Sequence, residues 1–166
     1  MTSLTLVRRI KARPSIVFDA LTTADGMVQW WGPDNGPVLI AESDPRKGGS
    51  FRVRFRKIDD GTEYETIGKF LDFIRPERVV MSWRWKDGIV DPGESRVEIV
   101  LRPVSEGTEI TLLHSLLHDE ESRSSHEAGW MGALDKLVAR FPEAADDAVS
   151  GPPVPPGRSV PPALVS

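Results

Sequence analysis

Chemistry in this chain has to come from a few polar side chains, because the absence of cysteine removes disulfides, thiolate nucleophiles and thiolate-bound metals. His114 is the first candidate. It shares an expected inward strand face with Ile110, Leu112 and Leu116, where an imidazole can act as acid, base or hydrogen-bonding anchor near neutral pH. A satisfied core residue is the plainer reading. His114, His118 and His126 with Glu120 and Glu121 are metal-ligating types, but four residues along a strand separate His114 from His118 by about 13 Å. No metal and no cofactor is therefore expected. Gly48-Gly49 precedes a strand, the wrong context for a phosphate loop or a nucleophile elbow. Arg52, Arg54 and Arg56 line one strand face, as solvated surface or as a docking patch for an acidic protein.

The elements that must position these residues are set by length and pattern. A chain of 166 residues with 39% hydrophobic and 28% charged residues can bury a core unaided, and one domain is the default. No apolar run reaches bilayer length, and Met1 to Ser15 lacks the apolar stretch of a signal peptide, so membrane insertion is not expected and the cytoplasm is. Residues 1 to 58 hold ten Lys or Arg against five Asp or Glu while the whole chain is at −4. That overall sign opposes polyanion binding, and no nucleic-acid partner is expected.

Leu4, Leu6 and Ile10 alternate as a first strand, and Pro14 opens a helix through Thr22. Asp25 is the expected N-cap of a second short helix through Met27, Trp30 and Trp31, stopped by Gly32 and Pro33. Strands follow near Val38 to Glu42 and from Ser50 to about Lys57, the second alternating Phe51, Val53 and Phe55 with three arginines. Tyr64 to Ile74 reads as a strand with Glu65 and Lys69 facing water, and its phase fails unless a bulge, placed at Gly68, resets it. Val79, Met81, Trp83 and Trp85 form the strongest aromatic inward face. Val97, Ile99 and Leu101, then Ile110, Leu112, His114 and Leu116, supply two more strands. From about Asp119 the period becomes helical through Trp130, Leu134, Leu137, Val138 and Phe141, until Pro142. The sum is an α+β fold: a curved antiparallel sheet of six to seven strands around a long carboxyl-terminal helix, with two short helices after the first strand. Residues 143–166 carry repeated prolines and read as an extended, flexible tail.

Inward phase assembles walls of a cavity from Trp30, Trp31, Phe51, Val53 and Phe55. Phe70, Met81, Trp83, Trp85, Val97 and Ile99 continue them, and Leu112, Trp130 and Leu134 close them. Tyr64, Thr66 and His114 are the polar points. The alternative is that these side chains fill a solid core.

Val17-Phe18 with Ala20-Leu21, Trp30-Trp31-Gly32-Pro33, Gly48-Gly49 before Phe51, Pro76-Glu77-Arg78-Val79-Val80 before Ser82-Trp83, and Gly129-Trp130 occur in order. This ordered set, over about residues 3 to 141, resembles the activator of Hsp90 ATPase homologue-like family in the START-like, helix-grip (SRPBCC) superfamily, which includes the birch-pollen allergen fold. The resemblance implies a bent sheet gripping the last helix with a cavity between, in a superfamily whose members bind or act on lipids, sterols, polyketides and other hydrophobic molecules. Three readings stay open: a protein that sequesters or transfers a hydrophobic small molecule, an enzyme of the same fold using His114 or Tyr64, and a co-chaperone-like interaction module using the arginine face. Monomer and dimer are both open.

Overall fold

A computed structural model describes residues 1–86 and 91–142; the proline-rich segment expected over 143–166 lies outside the described residues. The chain runs β1 (Thr2–Ile10), α1 (Pro14–Thr22), α2 (Ala24–Met27), β2 (Val38–Ser43), β3 (Ser50–Arg56), β4 (Glu63–Ile74), β5 (Arg78–Trp85), β6 (Ser95–Val104), β7 (Gly107–Leu117) and α3 (Glu120–Ala139). The seven strands form one antiparallel sheet in the order β1-β7-β6-β5-β4-β3-β2. From β2 to β7 each strand pairs with its neighbour in sequence, and β1 pairs with β7. The inward residues of every strand except β2 meet Val17, Phe18, Trp130, Leu134 and Leu137 of the helices in a single buried cluster.

Alternation places faces as expected on β3, where Phe51, Val53 and Phe55 are buried and the arginines point outward. Pro14 stands at the first turn of α1, where its missing N–H costs nothing. Five expectations change. Thr23, not Asp25, caps α2, its hydroxyl accepting from the Gly26 N–H at 3.1 Å; α2 ends at Met27, and turns rather than helix carry the chain to Trp31.

The register shift of β4 against β5 falls between Phe70 and Asp72, so Leu71, not Gly68, is the extra residue. Phe73 turns inward against Phe18, 5.0 Å away, and Asp72 meets Arg78 on the other face. Gly68 has another role, since a Cβ there would sit 2.0 Å from the Ser82 carbonyl oxygen and 2.6 Å from the Phe51 ring.

Glu65 is on the outer face yet only 6% exposed, because Arg52 and Arg54 fold over it. Leu116 points outward with φ of 61°, which passes the inward position to the fully buried Leu117. This reversal follows His114 and coincides with the register shift on β1 between Thr2 and Leu4.

Candidate functional site

The tandem tryptophans leave α2 in opposite roles. Trp30 donates its indole N–H to the Ala20 carbonyl at 2.8 Å, fixing it to α1, while Trp31 stacks on Trp83 with centroids 5.2 Å apart at 14°. Gly32, at φ 98°, makes the left-handed turn that an L side chain resists. The following loop is then tied to α3, because Lys136 Nζ donates to the Trp31 carbonyl at 3.0 Å and to that of Asp34 at 2.5 Å. Gly132 makes the approach possible, as a Cβ there would lie 1.9 Å from the Pro33 oxygen. Trp130 reaches down from α3 to within 5.1 Å of Trp83.

Between this loop, the sheet and the first half of α3 lies a cleft of about 620 Å³. All five tryptophans and the single tyrosine of the chain line it. Phe55 stacks on Tyr64 at 5.6 Å, and both meet Trp85 edge-on. Helix α3 contributes Glu121, Ser122, Ser125, His126, Gly129 and Ala133, and the charged or titratable groups at the lining are Lys57, Tyr64, His118, Asp119, Glu121 and His126.

Of the residues singled out in the sequence, Trp30, Trp31, Phe55, Tyr64, Trp83, Trp85 and Trp130 line the cleft. Phe51, Val53, Thr66, Phe70, Met81, Val97, Ile99, Leu112 and Leu134 sit behind it as buried core. His114 is also fully buried, screened by Trp83 and Trp130. The sequence reading missed the amino-terminal half of α3. Its signal was there: Ser122, His126, Gly129 and Ala133 extend the stripe of Trp130, Leu134 and Leu137 at helical spacing, hidden by being polar or small.

Two histidines stand against each other under the cleft, their ring centroids 4.7 Å apart, and each is held by an indole. Trp130 donates to Nδ1 of His114 at 3.0 Å, so the proton is on Nε2, which lies 2.7 Å from Ser95 Oγ. Trp85 donates to Nε2 of His126 at 2.8 Å, so Nδ1 carries the proton and donates to the Ser122 carbonyl at 2.7 Å. The tautomers are opposite and both rings are neutral, since a proton on either accepting nitrogen would face an N–H. Burial pushes the pKa of His114 well below its ordinary value, with the neighbouring His126 adding to the effect. Burial also lowers His126, against the Ser122 carbonyl and Asp91, which favour its cation.

Asp91 is 2% exposed. Burial works against its charge, but the Ser122 hydroxyl at 2.5 Å and the N–H groups of His118 and Gly93, each at 2.9 Å, hold its carboxyl below the usual range. Asp91, Ser122 and His126 are thus adjacent without forming a nucleophilic triad: the serine hydroxyl donates its hydrogen bond to the carboxylate, and the imidazole nitrogens are spent on Trp85 and a backbone carbonyl. His114 has both nitrogens bonded and stands behind the lining rather than in it. Among the described residues no group of three or more His, Asp or Glu could hold a metal.

On the outer face the arginine stripe is matched by carboxylates. Arg52 pairs with Glu65 at 2.8 Å, Arg54 with Glu63 at 2.6 Å, and Arg56 with Glu63 at 3.2 Å. Hydrogen bonds from Arg54 and Arg56 hold Glu63 below the usual carboxylate range.

The family model described as Activator of Hsp90 ATPase homolog 1-like protein matches residues 11–141. The chain belongs to that family. Solved structures agree with the assignment. An AHSA1 protein of Silicibacter pomeroyi is 28% identical with a TM-score of 0.73, over 84% of this chain and 96% of that one. A protein of Chromobacterium violaceum at 23% identity, with a TM-score of 0.75 over 85% and 98%, shares the fold. So does an AHSA1-like protein of Aeromonas hydrophila at 19%, with a TM-score of 0.67 over 83% and 90%. No curated protein matches the chain. Among the described residues of this AHSA1-like protein, no helix is long and apolar enough to cross a membrane.

Proposed function

We propose that this protein binds a hydrophobic small molecule in the cleft between the sheet and α3, sequestering or transferring it. The observation that carries the reading is the convergence of all five tryptophans on one open space of about 620 Å³, a volume in the range that small-molecule sites occupy. The indoles pack on one another, with centroids 5.0 to 6.1 Å apart, and still border this space. The arginine face lends less support to an acidic protein partner, because its guanidinium groups already meet carboxylates of the same sheet.

Native mass spectrometry of protein purified from its host tests the reading. The expected result is a retained apolar molecule at one per chain, released on denaturation, whose re-addition shifts tryptophan emission. Repeated preparations without any bound molecule, together with emission indifferent to apolar additives, would overturn it.

A further inference from the structure

His126 belongs both to the cleft lining and to the buried histidine pair. It is 4% exposed, and its Nε2 accepts the Trp85 indole hydrogen at 2.8 Å. Trp85 lines the same cleft and stands edge-on to Phe55, Tyr64 and Trp83, at 71°, 75° and 81°. A proton arriving on Nε2 sets two donors against each other across that bond, and a buried donor stripped of its acceptor is costly. The imidazole and the aromatic wall therefore change together.

His114 does not share this task. Its nitrogens are bonded behind the lining, to Trp130 and Ser95, and a cation on His126, with ring centroids 4.7 Å apart, opposes a second one. Burial pushes His114 well below its ordinary pKa and His126 less far, where the Ser122 carbonyl and Asp91 oppose it. The other charged or titratable groups of the lining are Lys57 after β3, Tyr64 on β4, His118 and Asp119 ahead of α3, and Glu121 on α3. Among the described residues none of these hydrogen-bonds to Trp85 or His126.

Resting on the small-molecule reading above, we infer that the cleft is a proton-linked site, in which uptake of one proton from water at His126 Nε2 breaks the bond from Trp85, loosens that wall and releases the bound molecule. An apolar guest lying over His126 withholds the water that an imidazolium needs, so the occupied cleft keeps the ring neutral. Linkage is reciprocal: the guest lowers the proton affinity of His126, and the proton lowers the affinity for the guest by the same factor.

Nitrogen-15 NMR of the ligand-free protein from pH 8 to pH 5 reads the first half of the inference. The Trp85 indole resonance is expected to move with the same midpoint as the His126 ring nitrogens, while the Trp130 indole and the backbone amides of β1 stay in place. This comparison is made in the unsubstituted protein and needs no variant to fold. Fluorescence titration with N-phenyl-1-naphthylamine, a neutral apolar probe, reads the second half. Its affinity at pH 5.0 should be about threefold or more below that at pH 7.5. His126→Gln should flatten this ratio, whatever its absolute affinity, and His118→Gln, which removes the other imidazole of the lining, should retain it. Equal affinity at the two pH values, a Trp85 resonance that does not follow His126, or a ratio that survives in His126→Gln or vanishes in His118→Gln overturns the inference and leaves the small-molecule reading in place. Collapse of indole and backbone resonances in one transition also overturns it, since the ring pair would then govern stability alone. A probe that binds at neither pH overturns it too, and the retained molecule sought by mass spectrometry then decides the broader reading.

Discussion

Trp130 of α3 donates its indole hydrogen to Nδ1 of His114 on β7 at 3.0 Å, so the helix and the sheet beneath it are joined by a bond that exists only while the imidazole is neutral. Trp85 and His126 repeat the arrangement from the other direction, strand to helix, at 2.8 Å. Both bonds bind the cleft wall to the protonation state of a buried ring.

Acidification is expected to weaken the fold well above the carboxylate range. Burial first, and for His114 also the neighbouring His126, lowers both folded-state pKa values below the unfolded value of about 6.5. The unfolded chain therefore takes up more protons as pH falls past about 6.5; the contribution is complete above that point and shrinks towards the lower folded values, by up to about 1.4 kcal/mol per pH unit for each ring. Urea unfolding at pH 7.5, 6.5 and 5.5 checks this, with His126→Gln removing one ring's share of the slope. Equal stability across the three conditions would sink the idea.

Two glycines one turn apart on α3 should respond in opposite ways. Gly132→Ala places a Cβ 1.9 Å from the Pro33 carbonyl oxygen, and separating helix and loop is expected to cost about 2 kcal/mol or more. At Gly129 the nearest atom is the Pro33 Cβ at 4.0 Å, so Gly129→Ala should gain up to about 1 kcal/mol from helix propensity. Thermal melts of the two variants distinguish contact from propensity.

Lys136→Met keeps the length of the side chain and removes its ammonium, leaving the Trp31 and Asp34 carbonyls without that donor. A loss of about 1–3 kcal/mol is expected, with a change in tryptophan emission because Trp31 is at the released end. Burial already lowers the pKa of Lys136, with Asp34 opposing, so replacing the charge recovers part of its desolvation. A variant with unchanged emission would show that the loop needs no clamp.

Glu65→Gln tests the covered carboxylate of the outer face. It keeps the shape but removes the charge that Arg52 and Arg54 meet at 2.8 and 3.3 Å. Destabilisation of about 1 kcal/mol is expected, modest because both arginines reach water, and it should fade in high salt. A loss insensitive to salt would assign the effect to packing instead.

Leu116→Gly should be neutral or stabilising by up to about 1 kcal/mol. Leucine at φ 61° is strained, half of its surface is already exposed, and glycine adopts that conformation freely. Denaturant midpoints of the two proteins settle the sign.

Much of this architecture was legible in residue order. Alternation on β3 and β5, proline at the start of α1 and the helical stripe of α3 are local periodicities, and each follows from backbone geometry over a few residues. The inward phase of Phe55, Trp83 and Trp85 was visible for the same reason, whereas Trp30 and Trp31 are placed by turns. The bulge was required by the failing phase of β4, but its place was not: Gly68 looked permissive, yet it is needed where the Ser82 carbonyl and the Phe51 ring come close, and Leu71 absorbs the shift instead.

Taken alone, the order of residues determined which face of most elements is apolar, and with it a sheet of six to seven strands and the terminal helix that packs on them. Whether an inward side chain meets another or borders a gap was decided only by tertiary structure, because that depends on pairs such as Trp85 and His126, 41 residues apart, whose approach leaves no local mark. The same holds for Glu65, which alternation assigns to water and the arginines of the neighbouring strand cover, and for His114, whose inward phase was readable but whose two nitrogens are both occupied by groups from other elements.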